Sequence, residues 1–393
     1  MTIPSLDTLD VAGQRVLVRV DFNVPVKNGV VGDDTRIRAA LPTLNELLDG
    51  GATLFLMSHL GRPKGVDDAA RMGPVAARLS ELLGREVRYA PTDGPGVPEQ
   101  ERFVSEAPAG SVTLLENTRF DPREKKNDPE LARVLAGYAD RYVNDAFGAA
   151  HRAHASTEGV ARHLPGAAGR LMERELEVLG RLTSSPETPF VAILGGAKVS
   201  DKIGVIENLL GVVNELFVGG AMAYTFVRAQ GGSTGDSLVE EDKIEVARDL
   251  LERAERAGVT LHLPEDSVCA TEVAEGVATE VHRSGAIPDG MKGLDAGPDA
   301  VARWREALKG ARTVFWNGPL GVFEVPPFDA GTRAIAQAVA DLDAFTVVGG
   351  GDSVAAINAS GLAGAIDHIS TGGGASLEFL EGSALPGVEA LKG

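Results

Sequence analysis

Cationic and polar side chains follow four short apolar runs in the first half of the sequence. They are Asp21, Asn23 and Arg36 after Arg15–Val20, His59 and Arg62 after Thr53–Met57, Arg119 after Ser111–Leu115, and Arg152 after Arg141–Val143. A guanidinium group matches phosphate and carboxylate oxygens through paired hydrogen bonds. One such arginine would be an ordinary surface charge, but four runs that end alike predict a pocket for a small, multiply charged anion.

Glycine-rich turns follow the apolar runs of the second half. The clearest are GGAKVSDK, which contains Lys198 and Lys202, GGGDS at 349–353, GGGAS at 372–376, and the pair Gly219 and Gly220. Glycines between a strand and a helix let backbone amides face an anion, so several such turns in one sheet predict a phosphate site. Asp352 is a candidate ligand for Mg²⁺, a cation that prefers oxygen, although Asp352 or Ser353 could equally cap the following helix.

Other catalytic patterns are missing from the sequence. There is no GxxxxGK[ST] motif and no GxGxxG after the first strand, which excludes a P-loop protein and weakens a dehydrogenase interpretation. No Cys or His spacing typical of a metal site occurs either.

The elements that must position these residues alternate between short apolar runs and amphipathic stretches such as Asp242–Ala257 and Gly331–Leu342. Runs that are apolar on both faces suit parallel strands covered by helices, so the pattern predicts a doubly wound α/β fold. A length of 393 residues favours two domains. The Ser-, Thr- and Pro-rich stretch Leu182–Pro189 is the candidate junction, and Ala375–Gly393, too short for a domain, should pack on one half.

Composition limits the kinds of partner. The formal charge of −18 argues against nucleic acid or an anionic membrane as the main partner. The single cysteine, Cys269, cannot form an intramolecular disulfide and suits a small buried position. Without a signal-like N-terminus or an apolar run of about 18 residues, we expect a cytoplasmic protein.

Taken in order, the motifs resemble those of the phosphoglycerate kinase family across nearly the whole chain. The matching blocks are RVDFNVP, DTRIRAALPT, SHLGRP, LLENTRF, NDAFGAAHRAHAS, GGAKVSDKI, GGAMAYTF, GLDAGP, FWNGPLGVFE, GGGDSVAA and STGGGASLEFLEG. Agreement over so many long blocks is far more specific than a lone glycine motif.

The resemblance implies two Rossmann-like lobes, each a parallel sheet flanked by helices, joined by a hinge that closes over the substrates. Residues 1–172 with the tail 375–393 would bind phosphoglycerate, and residues 173–374 would bind the nucleotide. It also implies a monomer that reversibly transfers the acyl phosphate of 1,3-bisphosphoglycerate to ADP, giving 3-phosphoglycerate and ATP, with Mg²⁺ required and the transfer direct and in line.

The resemblance also implies roles for individual residues. The phosphoglycerate would be held by Asp21, Phe22, Asn23, Arg36, His59, Leu60, Gly61, Arg62, Arg119 and Arg152. The nucleotide would be held by Lys198, Lys202, Gly220, Gly293, Asn317, Glu324, Gly350, Gly351, Asp352 and Ser353, with Asp352 as metal ligand. Arg36, Lys202 and the loop Gly372, Gly373 and Gly374 would meet the transferring phosphoryl group.

Three positions depart from commoner forms of the pattern, namely Thr118, Arg170 and Ala221. None is among the charged groups of the predicted site, so we expect them to affect packing and not activity. Two alternatives remain at this point: a two-domain dehydrogenase, which would leave the convergent cations unexplained, and a non-catalytic protein that kept the fold.

Overall fold

Two compact units make up the chain in the computed structural model, which describes residues 3–392. The first unit runs up to Glu177 and resumes at Ala384, and the second is Val178–Ser383. The first division falls inside the helix Arg170–Ser184, so that one helix begins in the first unit and ends in the second.

The first unit is built on a parallel sheet of six strands in the order β5-β6-β4-β1-β7-β8. A short antiparallel hairpin, β2 and β3, lies outside it. The strands are β1 (Arg15–Arg19), β2 (Val26–Lys27), β3 (Val30–Val31), β4 (Thr53–Met57), β5 (Val87–Arg88), β6 (Val112–Leu114), β7 (Arg141–Asn144) and β8 (Gly166–Ala168).

Five helices accompany these strands, the last of which (α5, Arg170–Ser184) continues into the second unit, and their sequences explain where they form. They are α1 (Thr35–Asp49), α2 (Gly73–Leu83), α3 (Pro98–Ser105), α4 (Pro129–Ala136) and α5 (Arg170–Ser184). Helix α1 buries Ile37, Ala40, Leu44 and Leu47, the spacing of one helical face. Helix α2 has proline in its first turn and is followed by Gly84, whose φ of 63° suits a glycine at the C-terminal cap.

A second six-stranded parallel sheet, ordered β12-β10-β9-β17-β18-β19, forms the centre of the second unit. A small antiparallel sheet, β14-β13-β16, and the pair β11 and β15 accompany it. The strands are β9 (Phe190–Leu194), β10 (Glu215–Val218), β11 (Ser233–Thr234), β12 (Thr260–His262), β13 (Asp266–Ala270), β14 (Glu280–Arg283), β15 (Ala286–Ile287), β16 (Lys292–Ala296), β17 (Thr313–Asn317), β18 (Phe345–Gly349) and β19 (His368–Ile369).

The remaining helices belong to the second unit except for the last. They are α6 (Ile203–Leu209), α7 (Met222–Ala229), α8 (Ile244–Arg256), α9 (Pro298–Leu308), α10 (Ala330–Ala340), α11 (Gly351–Ala359), α12 (Gly374–Leu380) and, in the first unit, α13 (Pro386–Glu389).

Every residue of the central strands β4, β9 and β17 is buried, as expected for parallel strands covered on both faces. The predicted α/β fold class is therefore confirmed. Cys269 is buried in β13. In the part of the chain that the structure describes, no helix combines the length and apolar character needed to cross a bilayer.

The two units divide after Glu177 and after Ser383, whereas the resemblance implied domain boundaries at positions 172 and 374. Helix α12 packs on α6, and Asn208 donates from Nδ2 to the carbonyl oxygen of Leu380 at 2.5 Å, which keeps residues up to Ser383 with the second unit. Beyond them the tail returns to the first unit, where Asn144 donates from Nδ2 to the carbonyl oxygen of Gly387 at 3.0 Å.

Candidate active site

An acid–arginine pair lies just beyond the carboxyl end of β1. Arg36, in the first turn of α1, donates from Nη1 to Asp21 Oδ2 at 2.7 Å, and the backbone amide of Asn23 donates to Asp21 Oδ1 at 3.2 Å. Burial alone would raise the pKa of Asp21, but His59, the guanidinium groups of Arg36 and Arg19, and the Asn23 amide together outweigh burial and lower it. Asp21 is therefore a fixed negative charge that holds Arg36 in place.

His59 lies beside this pair, at the end of β4. Its Nδ1 is 4.0 Å from Asp21 Oδ1 and 3.1 Å from Nη2 of Arg19. Burial lowers the pKa of His59 well below its usual value. The surrounding arginines lower it further, and Asp21 acts to raise it. At neutral pH the imidazole is thus uncharged and contributes hydrogen bonds instead of a positive charge.

Arg119 brings the other predicted arginines into the same cluster. Its side chain is largely buried, and it donates from Nη1 to the carbonyl oxygen of Gly61, whose own amide donates to Asn23 Oδ1 at 2.8 Å. Burial lowers the pKa of Arg119 to about 10, and the positive charges of Arg152, Arg19 and Arg62 contribute to that shift. This effect of the other arginines on Arg119 indicates that the guanidinium groups lie near one another. A bound polyanion would relieve the repulsion between them.

Phe22 and Leu60 are apolar members of the predicted site, and both are buried. Phe22 donates its backbone amide to Ser58 Oγ at 2.8 Å, while Leu60 donates its amide to Asn117 Oδ1 at 3.2 Å. Their contribution is to fix the two loops that carry Asn23 and Gly61, because both loops are tied to buried polar groups.

Arg19 belongs to this cluster but was not among the predicted site residues. It is the last residue of β1, 1% exposed, between the buried Val18 and Val20. Its Nε donates to Ser156 Oγ at 2.9 Å. The available signal was a second arginine in the run Arg15–Val20, placed between Val18 and Val20, since a buried guanidinium group requires partners.

In the second unit, Lys202 and Asn317 form the polar centre of the predicted nucleotide side. Lys202 is 8% exposed and donates from Nζ to Asn317 Oδ1 at the end of β17. Burial lowers the pKa of Lys202 to about 8, although Asp201, Asp352 and Glu381 act to raise it. Among the described residues Asn317 Nδ2 has no hydrogen-bond partner, so the site retains one buried donor.

The glycines of this unit divide into two kinds. At Gly220, which has a φ of +67°, a Cβ would lie 2.5 Å from the carbonyl oxygen of Gly196, and at Gly350 a Cβ would lie 2.9 Å from Asn317 Nδ2. Gly351 and Gly373 instead have no heavy atom within 4 Å of such a Cβ. The first kind allows loops to approach one another, whereas the second kind borders open space that a ligand could occupy.

The three glycines of the loop 372–374 differ in hydrogen bonding and in backbone conformation. The amide of Gly372 donates to Ser370 Oγ at 3.2 Å, so it already has a partner within the loop. Gly373 precedes α12 with φ 54° and ψ −116°, a conformation that L-residues rarely adopt. Gly374 is the first residue of that helix.

The start of α11 excludes the helix-cap interpretation of Asp352. The N-cap position is Gly350, and no side chain caps the helix. Ser353 is buried and accepts a hydrogen bond from the amide of Gly318 at 2.5 Å, whereas Asp352 is exposed. Asp352 is therefore available to a ligand.

The other predicted nucleotide residues lie in different surroundings. Lys198 is exposed in a turn before α6, and Glu324 lies in the loop after β17. Gly293 lies in β16, where its amide donates to Ser237 Oγ at 2.9 Å and an added Cβ would overlap the Tyr224 hydroxyl. Packing against Tyr224 is thus sufficient reason for glycine at position 293.

The three departures noted in the sequence have structural surroundings of their own. Arg170, at the start of α5, forms ion pairs with Asp7, Glu46 and Glu173. Thr118 is buried, and Ala221 packs against the small cluster around Tyr224. Arg170 therefore joins α1 to α5 through charge.

Comparison with known proteins agrees with this geometry. A model of the family described as phosphoglycerate kinase matches residues 6–383. The phosphoglycerate kinases of Moorella thermoacetica and of Thermus thermophilus are each 58% identical to the chain, over 388 and 386 residues, covering 98% of the chain and of each relative.

Solved structures give the same result. The chain resembles the structure of phosphoglycerate kinase from Coxiella burnetii with a TM-score of 0.90 and 41% identity, covering 100% of this chain and 99% of that one. The corresponding values for the enzyme from Pyrococcus horikoshii OT3 are 0.87 and 33%, covering 99% and 98%. The dehydrogenase alternative is thereby excluded: the chain belongs to the phosphoglycerate kinase family.

Proposed function

We propose that the chain transfers the acyl phosphate of 1,3-bisphosphoglycerate to ADP, with the first unit holding the phosphoglycerate and the second the nucleotide. The observation that carries this assignment is the buried cluster of Arg19, His59 and Arg119, with the exposed Arg62 near Arg119, at the carboxyl end of one parallel sheet. Ligands of open α/β sheets bind at this edge, and a small polyanion relieves the repulsion within the cluster.

Within the first unit, we assign each group the role that the family resemblance implies, and its surroundings support that role. Arg62, Arg119 and Arg152 bind the phosphate that does not react; in support, Arg152 and Arg62 are close enough to Arg119 to contribute to its lowered pKa. Asp21 and Asn23 orient the glycerate hydroxyl group and backbone, because both are fixed by hydrogen bonds to the surrounding loops. His59 is neutral and donates or accepts a hydrogen bond without adding charge.

Phosphoryl transfer needs no general base here, because the attacking oxygen of ADP is already ionised. The difficulty is negative charge, which spreads over the equatorial oxygens in the transition state. Arg36 and Lys202 supply fixed positive charge to those oxygens, and the backbone amides of the loop 372–374 supply hydrogen bonds. Arg36 is held for this by Asp21, and Lys202 by Asn317.

Asp352 is the residue that would hold Mg²⁺. No group of three or more His, Cys, Asp or Glu side chains able to bind a metal occurs within residues 3–392. That is compatible with Mg²⁺, which is commonly held by one or two carboxylates together with substrate phosphates. When bound, the ion neutralises charge on the nucleotide, while Lys198, Glu324 and the turn 350–353 position the nucleotide itself.

A coupled assay of ATP formation from 1,3-bisphosphoglycerate tests the function. We expect activity in the wild type and a loss of about 100-fold or more in kcat for Arg36→Ala and for Lys202→Ala. Arg38→Ala is the matched control, since Arg38 lies on the same helix as Arg36 but is exposed and paired with Asp34. If Arg36→Ala forms ATP as fast as the wild type, the role assigned to Arg36 is wrong. If neither the wild type nor Arg36→Ala forms ATP, the result favours a non-catalytic protein.

A further inference from the structure

Glu124 is a buried carboxylate behind the arginine cluster. It lies in the charged run REKK, which looks like an exposed loop in the sequence, yet it is only 1% exposed. Its Oε1 accepts the hydroxyl hydrogen of Ser156 at 2.5 Å, and its Oε2 accepts the backbone amide of Ser156 at 3.0 Å. Burying a carboxylate is costly unless hydrogen bonds and opposite charges replace its hydration. The partners of Glu124 therefore indicate what the residue does.

Those contacts continue directly into the anion site. Ser156 directs its hydroxyl hydrogen to Glu124, which leaves its oxygen free to accept Arg19 Nε at 2.9 Å. Arg19 in turn approaches His59 Nδ1 with Nη2 at 3.1 Å and donates from Nη1 to the carbonyl oxygen of Val20. All three guanidinium nitrogens of Arg19 are therefore held, and one of them depends on the Glu124–Ser156 pair.

Charge supports the same relationship. Glu124 faces Arg19 and Arg119, and its Oε1 lies 3.8 Å from Nδ1 of His154. Burial raises the pKa of Glu124, while these two arginines and the hydrogen bonds from Ser156 act to lower it. Burial and the arginines lower the pKa of His154 to about 4, so this histidine adds no positive charge near neutral pH.

We propose that Glu124 is a positioning residue for the phosphoglycerate site: through Ser156 it holds the guanidinium group of Arg19 against His59, so that the anion-binding surface is assembled before substrate arrives. Glu124 does not itself face the substrate. The inference rests on the proposed function, since it concerns how that same site binds its anion.

The first test separates positioning from general support of the fold. We expect Glu124→Gln to raise KM for 3-phosphoglycerate about ten-fold or more, the effect of losing a hydrogen bond to a charged group, with KM for ATP unchanged. Glutamine cannot accept both the hydroxyl and the amide of Ser156. The matched control is Glu116→Gln: Glu116 is equally buried, but its side chain accepts hydrogen bonds from Arg71, Tyr89 and the amides of Met72 and Asn117, and none of its hydrogen bonds among the described residues involves Arg19, Ser156 or His59.

A double-mutant cycle tests the route through Ser156. If Glu124 acts through this hydroxyl, Ser156→Ala should raise KM for 3-phosphoglycerate in the same way, and the double variant should be no worse than the worse single variant. Fully additive effects would contradict the route.

The second test follows His59 in the free protein by NMR titration, with its signal assigned by its loss in His59→Asn. The charged groups facing this imidazole are Asp21, which raises its pKa, and Arg19, Arg119 and Arg152, which lower it. In Glu124→Gln we expect Arg19 to withdraw and the pKa of His59 to rise, whereas Glu116→Gln should leave it as in wild type. A role limited to folding would not produce this shift.

The outcomes separate the two hypotheses. If Glu124→Gln changes neither KM for 3-phosphoglycerate nor the titration of His59, or if Glu116→Gln changes both as much, the proposal is wrong. If the wild type forms no ATP, the proposed function fails, but the titration in the free protein still decides whether Glu124 positions Arg19.

Discussion

Lys202 donates from Nζ to Oδ1 of Asn317, and the other end of the same amide, Nδ2, faces Gly350 and has no partner among the described residues. The pair thus combines a buried ammonium group, whose charge depends on pH, with a donor that is not yet used. A phosphate oxygen is a suitable acceptor for both groups, because each is a hydrogen-bond donor.

The first prediction concerns the pH dependence of nucleotide use. Burial lowers the pKa of Lys202 to about 8, so the free protein loses this positive charge as the pH rises through about 8. We expect kcat/KM for ADP, which reports the free enzyme, to fall over the same range. In Lys202→Arg, which stays charged, the rate at pH 7 should be lower but the alkaline fall should disappear; an unchanged fall would assign it to another group.

The same shift has a consequence for stability. Between about pH 8 and the pKa of an unfolded lysine, 10.5, the folded state binds fewer protons at Lys202 than the unfolded state does. The free energy of unfolding should therefore rise with pH in this window. Lys202→Met should remove that rise, as urea unfolding at a series of pH values would measure.

The second prediction concerns Gly373, where backbone conformation and not space limits substitution. Gly373→Ala places a Cβ in open space but forces alanine to adopt φ 54° and ψ −116°, which costs about 1–3 kcal/mol. If the loop keeps its conformation, we expect that loss of stability; if the loop rearranges to avoid it, we expect a lower kcat, because the amides proposed to contact the transferring group would move. Differential scanning calorimetry and the coupled assay measure the two effects.

Gly310→Ala provides the control for that experiment. Gly310 also has no heavy atom within 4 Å of an added Cβ, but it has no positive φ. Its substitution should leave both Tm and kcat close to those of the wild type. A Gly373→Ala variant that behaves in the same way would show that the loop conformation is unimportant for transfer.

The arginines of the site could be predicted from the sequence because of a geometric rule. Strands that are parallel share one edge at their carboxyl ends, so residues such as Arg62 and Arg119, which follow different strands, were expected to meet there. Arg19 escaped this reasoning because it lies within β1 itself. Glu124 escaped because a charge in a run of charges gives no sign of burial, which depends on the tertiary contact with Ser156.

The glycine loops show the same limit. The letters GGG stand at 349–351 and at 372–374 without distinguishing one glycine from the next. The structure separates Gly350, which touches Asn317, from Gly351, which borders open space, and Gly372, whose amide has a partner, from Gly373, whose backbone is unusual. These differences arise from φ and from loops brought together by the fold, and neither is encoded in a local pattern.

The third prediction concerns Asp145, a buried carboxylate directly after β7 that accepts hydrogen bonds from the first turn of α5. Its Oδ1 accepts the amides of Leu171 and Met172 at 2.9 and 3.3 Å, whereas Oδ2 has no partner among residues 3–392. Burial raises its pKa to about 7, above the ordinary 3.8. Between these values the folded state binds more protons than the unfolded state, so this group makes the free energy of unfolding fall as pH rises from about 4 to about 7.

Asp145→Asn should remove that contribution, because Oδ1 can still accept both amides and the new Nδ2 replaces an oxygen that has no hydrogen-bond partner. Relative to the wild type, the variant should gain stability on the order of a few kcal/mol as pH rises from about 4 to 7. Asp266→Asn is the contrasting variant: both oxygens of Asp266 accept backbone amides, from Ala300 at 2.8 Å and Asp299 at 3.1 Å. In Asp266→Asn the new amide nitrogen must face a backbone N–H donor. We therefore expect Asp266→Asn to lower the free energy of unfolding at neutral pH, where Asp145→Asn should raise it.

Chemical unfolding of both variants from about pH 4 to 7 measures the contrast. A loss in Asp145→Asn as large as that in Asp266→Asn would mean that Oδ2 of Asp145 has a donor after all, for which the neighbouring Thr43 hydroxyl is the candidate.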